Sequence, residues 1–233
     1  MRVLVCAALV ATMRGVAADW AVVTGASSGI GAALANRAAR THDVVLHGRN
    51  REALERVANE IHARTGRATK IVVCDLAKPR GARRLHAACK DLKVALLCAN
   101  AGVARVRPFA DDSLEAVHRM LDVNLRSTIT LSRLFSEKLR GGRLVLTGSL
   151  VGVPAHGCAG CAAYAGSKAF LRSFGNALHD ELRPRGVGRP RGKPTSLRGV
   201  AAASWRVRGT VAATPRPRAG ESEAVRGVPR RSP

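Results

Sequence analysis

Five short apolar runs recur along this chain, and a longer stretch with helical patterning lies between each run and the next. The runs at 21–24, 44–47, 70–74, 94–98 and 143–147 are dominated by Val, Leu, Ile and Ala with little polar alternation. Near-continuous apolar runs of that length are what strands buried on both faces require. The stretches at 30–40, 51–64, 80–90, 113–139 and 162–183 read as helices. A strand that must cross a helix before its next strand returns in the same direction. The expected fold is therefore an α/β domain with a doubly wound parallel sheet and right-handed crossovers. A length of 233 residues suffices for one such domain with a substantial core.

The turn after the first strand is rich in glycine. Thr24 to Gly31 reads TGASSGIG, with Gly25, Gly29 and Gly31 where the chain must turn sharply into a helix. Glycines there let a phosphate approach the backbone, and the N–H groups and dipole of a new helix favour its charge. Ser27, Ser28 and Ile30 fill out the loop. A glycine turn alone also serves ordinary turns, but its place between an apolar strand and a helix makes it a nucleotide-binding candidate.

Further motifs follow in order: CDL at 74–76, NAG at 100–102, DVNL at 122–125, Ser149 after the fifth strand, and YAGSK at 164–168. Together with the GxxxGxG turn they resemble the short-chain dehydrogenase/reductase family over about residues 20–187. The resemblance implies a Rossmann-like domain and an oxidoreductase that moves hydride between a nicotinamide and a carbonyl or secondary alcohol. It implies Tyr164 as general acid/base, and Lys168 as the charge that lowers its pKa and binds the nicotinamide ribose. Ser149 would hydrogen-bond the substrate oxygen, and Asn124 would hold a water linking Lys168 to solvent. Asp75 would meet the adenine amino group and Leu76 its ring, with Asn100, Ala101 and Gly102 on the adenosine side. A dimer or tetramer would form through 113–139 and 162–183.

The residues support this chemistry independently. Tyrosine's reference pKa of about 10 is too high for easy proton exchange near neutrality without a nearby positive charge. Lys168 lies at i+4 from Tyr164, on the same helical face. Taken alone, a tyrosine and a lysine one turn apart are ordinary packing and a solvated charge. An Asn inside a helix, as at 124, is mildly unfavourable and hints at another duty. At the end of the second strand, VVLHGRN offers no carboxylate for a 2′-hydroxyl but places Arg49 there. A guanidinium forks onto a phosphate, so the expected cofactor is NADP(H), with Arg49 as its 2′-phosphate ligand.

Six cysteines show no disulfide-framework spacing. Cys158-x-x-Cys161 invites a redox or zinc reading, yet no second CxxC or HxxxH completes a zinc site. The pair is read as small loop residues lining the approach to substrate. They lie within a segment of 14 residues between Ser149 and Tyr164, about two more than the family usually places there.

Both ends depart from this pattern. Residues 1–18 carry Arg2, an apolar run and a Val-Ala-Ala ending, the layout of a secretory signal peptide. An N-terminal extension, or a start at Met13, remains open, and with it a secretory or a cytoplasmic location. No apolar run approaches the ~20 residues of a transmembrane helix. The net charge of +23 falls disproportionately on 187–233, a surplus of 9 in 47 residues, and that stretch holds ten Arg, one Leu and no Ile, Phe or Tyr. That composition cannot bury enough apolar surface to fold and reads as a disordered basic tail. It contains no candidate for a sixth or seventh strand, so the doubly wound sheet lacks its last two. A shifted reading frame or retained intron in GC-rich sequence explains this texture, and a genuine truncation with a basic tail is the other explanation. The tail also supports a second reading of the whole chain, an inactive dinucleotide-binding protein contacting polyanions. One Trp and no interleaved aromatics make sequence-specific nucleic-acid recognition an unfavoured expectation.

Overall fold

The computed structural model describes residues 19–153 and 158–188. The signal-peptide candidate and nearly all of the basic segment lie outside the described residues. Five strands form one sheet in the order β3-β2-β1-β4-β5. They are β1 (Trp20–Thr24), β2 (Asp43–Gly48), β3 (Thr69–Val73), β4 (Val94–Ala99) and β5 (Arg143–Leu146), and every pairing is parallel. The helices are α1 (Gly29–Ala38), α2 (Arg51–Thr65), α3 (Gly81–Ala88), α4 (Leu114–Leu121), α5 (Ser127–Phe135) and α6 (Ala162–Leu182). This is the doubly wound, Rossmann-like arrangement expected from the alternating runs.

The inner strands β1, β2 and β4 are buried on both faces, which is why they read as nearly unbroken apolar runs. Alternate residues of each strand go to opposite layers. Ala21, Val23, Val44 and Leu46 pack with Ala35 and Ala38 of α1 and Leu54, Val57 and Ile61 of α2. Val22, Val45 and Leu97 pack with Leu85 of α3, Leu131 and Phe135 of α5 and Leu182 at the end of α6. Local signals set the helix ends. The Asn50 side chain accepts from Ala53 N–H at 2.9 Å to cap α2, and Gly66, at φ 65°, closes it.

The single helix expected over 113–139 is not one α-helix. It is α4, then a π-helical turn over Asp122–Arg126, then α5 ending at Phe135. The Ser127 N–H reaches back five residues to Asp122 O. The interruption coincides with Asn124, whose side chain bonds outside the helix. π-turns commonly mark such functional insertions.

The described chain reaches two residues past the expected domain boundary. Val187 is buried against the core, Gly188 N–H donates to Gly142 O at 2.8 Å, and Gly141 N–H donates to Gly186 O at 3.0 Å. Chain leaving α6 therefore returns to the beginning of β5, the edge strand. No helix among the described residues is long and apolar enough to cross a membrane.

Candidate active site

The C-terminal ends of β1, β4 and β5 are tied together by one hydrogen-bond chain. Thr24 Oγ1 donates to Cys98 O at 3.3 Å and accepts from the N–H groups of Asn100 and Ala101, each at 2.9 Å. Asn100 Nδ2 donates to Thr24 O at 3.0 Å, and Thr147 Oγ1 donates to Asn100 Oδ1 at 3.1 Å. Asn100 is thus a strut of the site, holding the glycine turn to its neighbours.

Within that turn the glycines act for different reasons. Gly25 and Gly29 have φ of 67° and 53°, backbone that side chains disfavour. Gly31 needs space: a Cβ there would lie 1.9 Å from Gly25 O and 2.8 Å from Asn100 Nδ2. Ser28 caps α1 by position with no side-chain hydrogen bond, so the N–H groups of the first turn, through Ile30, are not claimed by a capping side chain. A free helix N-terminus beside a tight turn suits a pyrophosphate.

The turn opens on a cavity of about 420 Å³ whose walls include Gly25, Ser27, Ser28, Arg49, Asp75, Leu76, Ala101 and Gly102. Burial alone would raise the Asp75 pKa. The Ala77 N–H and the Arg119 guanidinium, with Arg49 beyond, more than offset this and hold it below the ordinary carboxylate value. Arg119 Nη2 meets Asp75 Oδ2 at 2.8 Å. Arg119 escaped the sequence reading because nothing local distinguishes it from a solvated helix charge. His47 escaped it too. It is buried in the cavity wall, Nε2 bonds Cys74 O at 3.2 Å, and Nδ1 has no protein partner. Burial drives its pKa down to about 4, so the ring is neutral.

Ser149, Tyr164 and Lys168 lie beyond the walls of this cavity. Tyr164 is in the first turn of α6, and Lys168 Nζ sits 5.9 Å from its ring centroid. Lys168 is buried, and its ammonium donates to Thr147 O at 2.8 Å. Burial lowers its pKa to about 8. Thr147 therefore links Asn100 to Lys168, a role whose only trace in the sequence is a hydroxyl at a strand end. Ser149 opens the 3₁₀ turn Leu150–Gly152, its Oγ accepting from Val151 N–H at 3.3 Å. A Cβ on Gly152 would come within 2.6 Å of the Lys168 carbonyl carbon and the Ala169 nitrogen, so only glycine lets the serine turn lie against α6.

The Asn124 side chain is held by the loop after β4 and by α6. Its Oδ1 accepts from Val103 N–H at 2.9 Å, and its Nδ2 donates to Val103 O at 3.0 Å and Ser167 Oγ at 3.2 Å. The carboxamide clamps the loop after β4 to α6. Ser167 Oγ in turn donates to Tyr164 O at 2.7 Å, so the clamp reaches the turn that carries the tyrosine. Cys158 and Cys161 differ from expectation. Rather than two separate small loop residues, they are bridged as a disulfide. The surplus between Ser149 and Tyr164 gave no hint of that pairing.

The short chain dehydrogenase family profile matches residues 19–189. The chain belongs to that family. This short-chain dehydrogenase is 32% identical over 230 residues to the very-long-chain 3-oxoacyl-CoA reductase of Meyerozyma guilliermondii, an alignment spanning 91% of this chain and 65% of that relative. It thus covers less than two thirds of the relative's length. Among solved structures, a short-chain dehydrogenase from Burkholderia cenocepacia in complex with NADP superposes with a TM-score of 0.68 at 34% identity, covering 73% of this chain and 71% of that one. One from Sphingobium yanoikuyae in complex with NADPH gives 0.67 at 31% identity, covering 73% and 68%.

Proposed function

We propose that this short-chain dehydrogenase is an NADPH-dependent reductase of a ketone or aldehyde carbonyl, working reversibly on the matching alcohol. The observation that carries the reading is the placement of Tyr164 and a buried, cationic Lys168 on one face of α6, beside a nucleotide cavity walled by Arg49. Asn50 is engaged as the α2 cap, which leaves Arg49 as the side chain free to meet a 2′-phosphate at the end of β2. The glycine turn, the uncapped α1 and this guanidinium fit NADPH, and solved relatives carry NADP or NADPH. NADPH supplies the hydride when bound. The chain's own residues do the rest: Tyr164 Oη gives a proton to the developing alkoxide, and Ser149 Oγ orients the carbonyl oxygen. Lys168 holds positive charge near the phenol at neutral pH, and Thr147 O anchors its ammonium. Proton donation of this kind contributes about 10²–10⁴-fold to rate.

The relative named above makes a 3-oxoacyl thioester the first substrate to assay. The exposed faces of Ile129 on α5 and Phe170 on α6, the latter stacked on Phe174, support self-association through these helices. The decisive experiment compares the chain with its Tyr164→Phe variant for NADPH binding and turnover. Turnover should drop at least about 100-fold while NADPH affinity is unchanged. Full activity in the variant would overturn the assignment, and binding of NADH in preference to NADPH would overturn the role of Arg49.

A further inference from the structure

Three features meet at the entry to α6. Cys158 and Cys161 are the ends of a four-residue turn closed by Cys161 N–H to Cys158 O at 2.9 Å. Gly160, the second central residue, has φ 77°, which a type II turn requires of it. The backbone alone therefore brings the two Cα atoms to 5.3 Å, inside the range that disulfides span. Cys158 is exposed, whereas Cys161 is buried and occupies the N-cap position of α6, a helix of 21 residues with no acidic residue in its first turn and no side-chain cap. Finally, Gly160 O accepts from Arg107 N–H at 2.8 Å, so the turn is fastened to the loop that follows β4. That loop is the one Asn124 holds at Val103.

We propose that Cys158 and Cys161 are a reversible dithiol–disulfide site that exchanges with low-molecular-weight thiols and, when bridged, fastens the mouth of the active site by fixing the Gly160–Arg107 contact. The exchange balances as follows. In oxidation the exposed Cys158 thiolate attacks one sulfur of glutathione disulfide, forming a mixed disulfide and expelling one glutathione thiolate. The Cys161 thiolate then attacks Cys158 Sγ and expels the second. The two cysteines lose two electrons and two protons, and one glutathione disulfide becomes two glutathione thiols. In reduction a glutathione thiolate attacks Cys158, the accessible sulfur, and Cys161 leaves as a thiolate at the positive end of α6. A second glutathione thiolate then attacks the mixed disulfide at its glutathione sulfur, freeing the Cys158 thiol and returning glutathione disulfide.

The described cysteines elsewhere are built differently. Cys74, Cys89 and Cys98 are buried free thiols, and burial pushes Cys89 up to about 11 and Cys98 up to about 12. Tyr164 stands three residues after Cys161, so the state of the bridge bears on the turn that carries the proposed proton donor. The site itself stands whatever substrate the enzyme takes.

The test equilibrates the full chain in graded mixtures of glutathione and glutathione disulfide, quenches with acid, alkylates, and reads each cysteine by peptide mass. Cys158 and Cys161 should convert together in one two-electron transition while Cys74, Cys89 and Cys98 stay unlabelled in the folded protein. Amide exchange at Arg107 should be slower in the bridged form by about tenfold or more. Cys158→Ser should abolish the transition and give Arg107 the faster exchange of the reduced form, with NADPH affinity unchanged. A mixed disulfide that stops at Cys158 would overturn the exchange. Identical Arg107 exchange in both states would overturn the fastening. None of these readouts needs turnover, so an inactive chain would refute the reductase reading and leave this one to its own result.

Discussion

Lys168 is the residue where burial and function pull against each other. Its ammonium donates to the Thr147 carbonyl, and burial brings its pKa from 10.5 to about 8. Below about pH 8 the side chain is cationic and favours the anionic cofactor and the phenol's proton loss. As pH rises through 8 that charge disappears. NADPH affinity, read by fluorescence titration, should therefore fall as pH passes about 8, and Lys168→Met should remove the inflection. The sign for stability is the reverse: between pH 8 and 10.5 the unfolded chain binds a proton that the folded one does not, so this residue's opposition to folding fades as pH rises. The i+4 spacing made the Tyr164–Lys168 pair legible in the sequence. The depth of Lys168 was not, because it depends on Thr147 and Gly152, residues brought in from another strand and turn.

At the scale of elements, the π-turn over Asp122–Arg126 is where local preference yields to tertiary bonding. Apolar spacing predicts a helix over this stretch but cannot separate an i−4 ladder from an i−5 one. What selects the wider turn is Asn124, placed so that both ends of its carboxamide pair with Val103, 21 residues away in sequence. Asn124→Ala would leave the Val103 N–H and C=O without those partners. It should destabilise the fold by about 2 kcal/mol, visible as a lower urea midpoint at unchanged slope. Aspartate at this position should do worse than Ala, since it cannot donate to Val103 O or Ser167 Oγ and adds a buried charge. The polar residue in a helix interior was readable in advance. Its partner was not, since no sequence signal marks Val103 as a loop residue needing both backbone groups satisfied.

For the molecule as a whole, the alternation of apolar runs sufficed to give the parallel sheet, because both faces of its central strands are covered and those strands must be largely apolar. The same burial hides a liability at His47, which sits at the end of one such run as a lone histidine. Between pH 6.5 and about 4 the unfolded chain takes up a proton that the folded His47 refuses. Stability should fall as pH drops through this window, by roughly 3 kcal/mol from this residue once both limits are passed. His47→Thr should flatten that part of the acid limb, measured as the difference between urea midpoints at pH 7 and pH 4.5. If the variant loses as much stability as the parent, the acid sensitivity comes from elsewhere. Tyr164, set one turn from Lys168, is also the sole tyrosine in the 233 residues. Phenolate absorbance of the entire chain is therefore the titration curve of a single side chain. The proposed proton donor can be watched directly in the intact protein, with and without cofactor, through a spectroscopic window that no second phenol obscures.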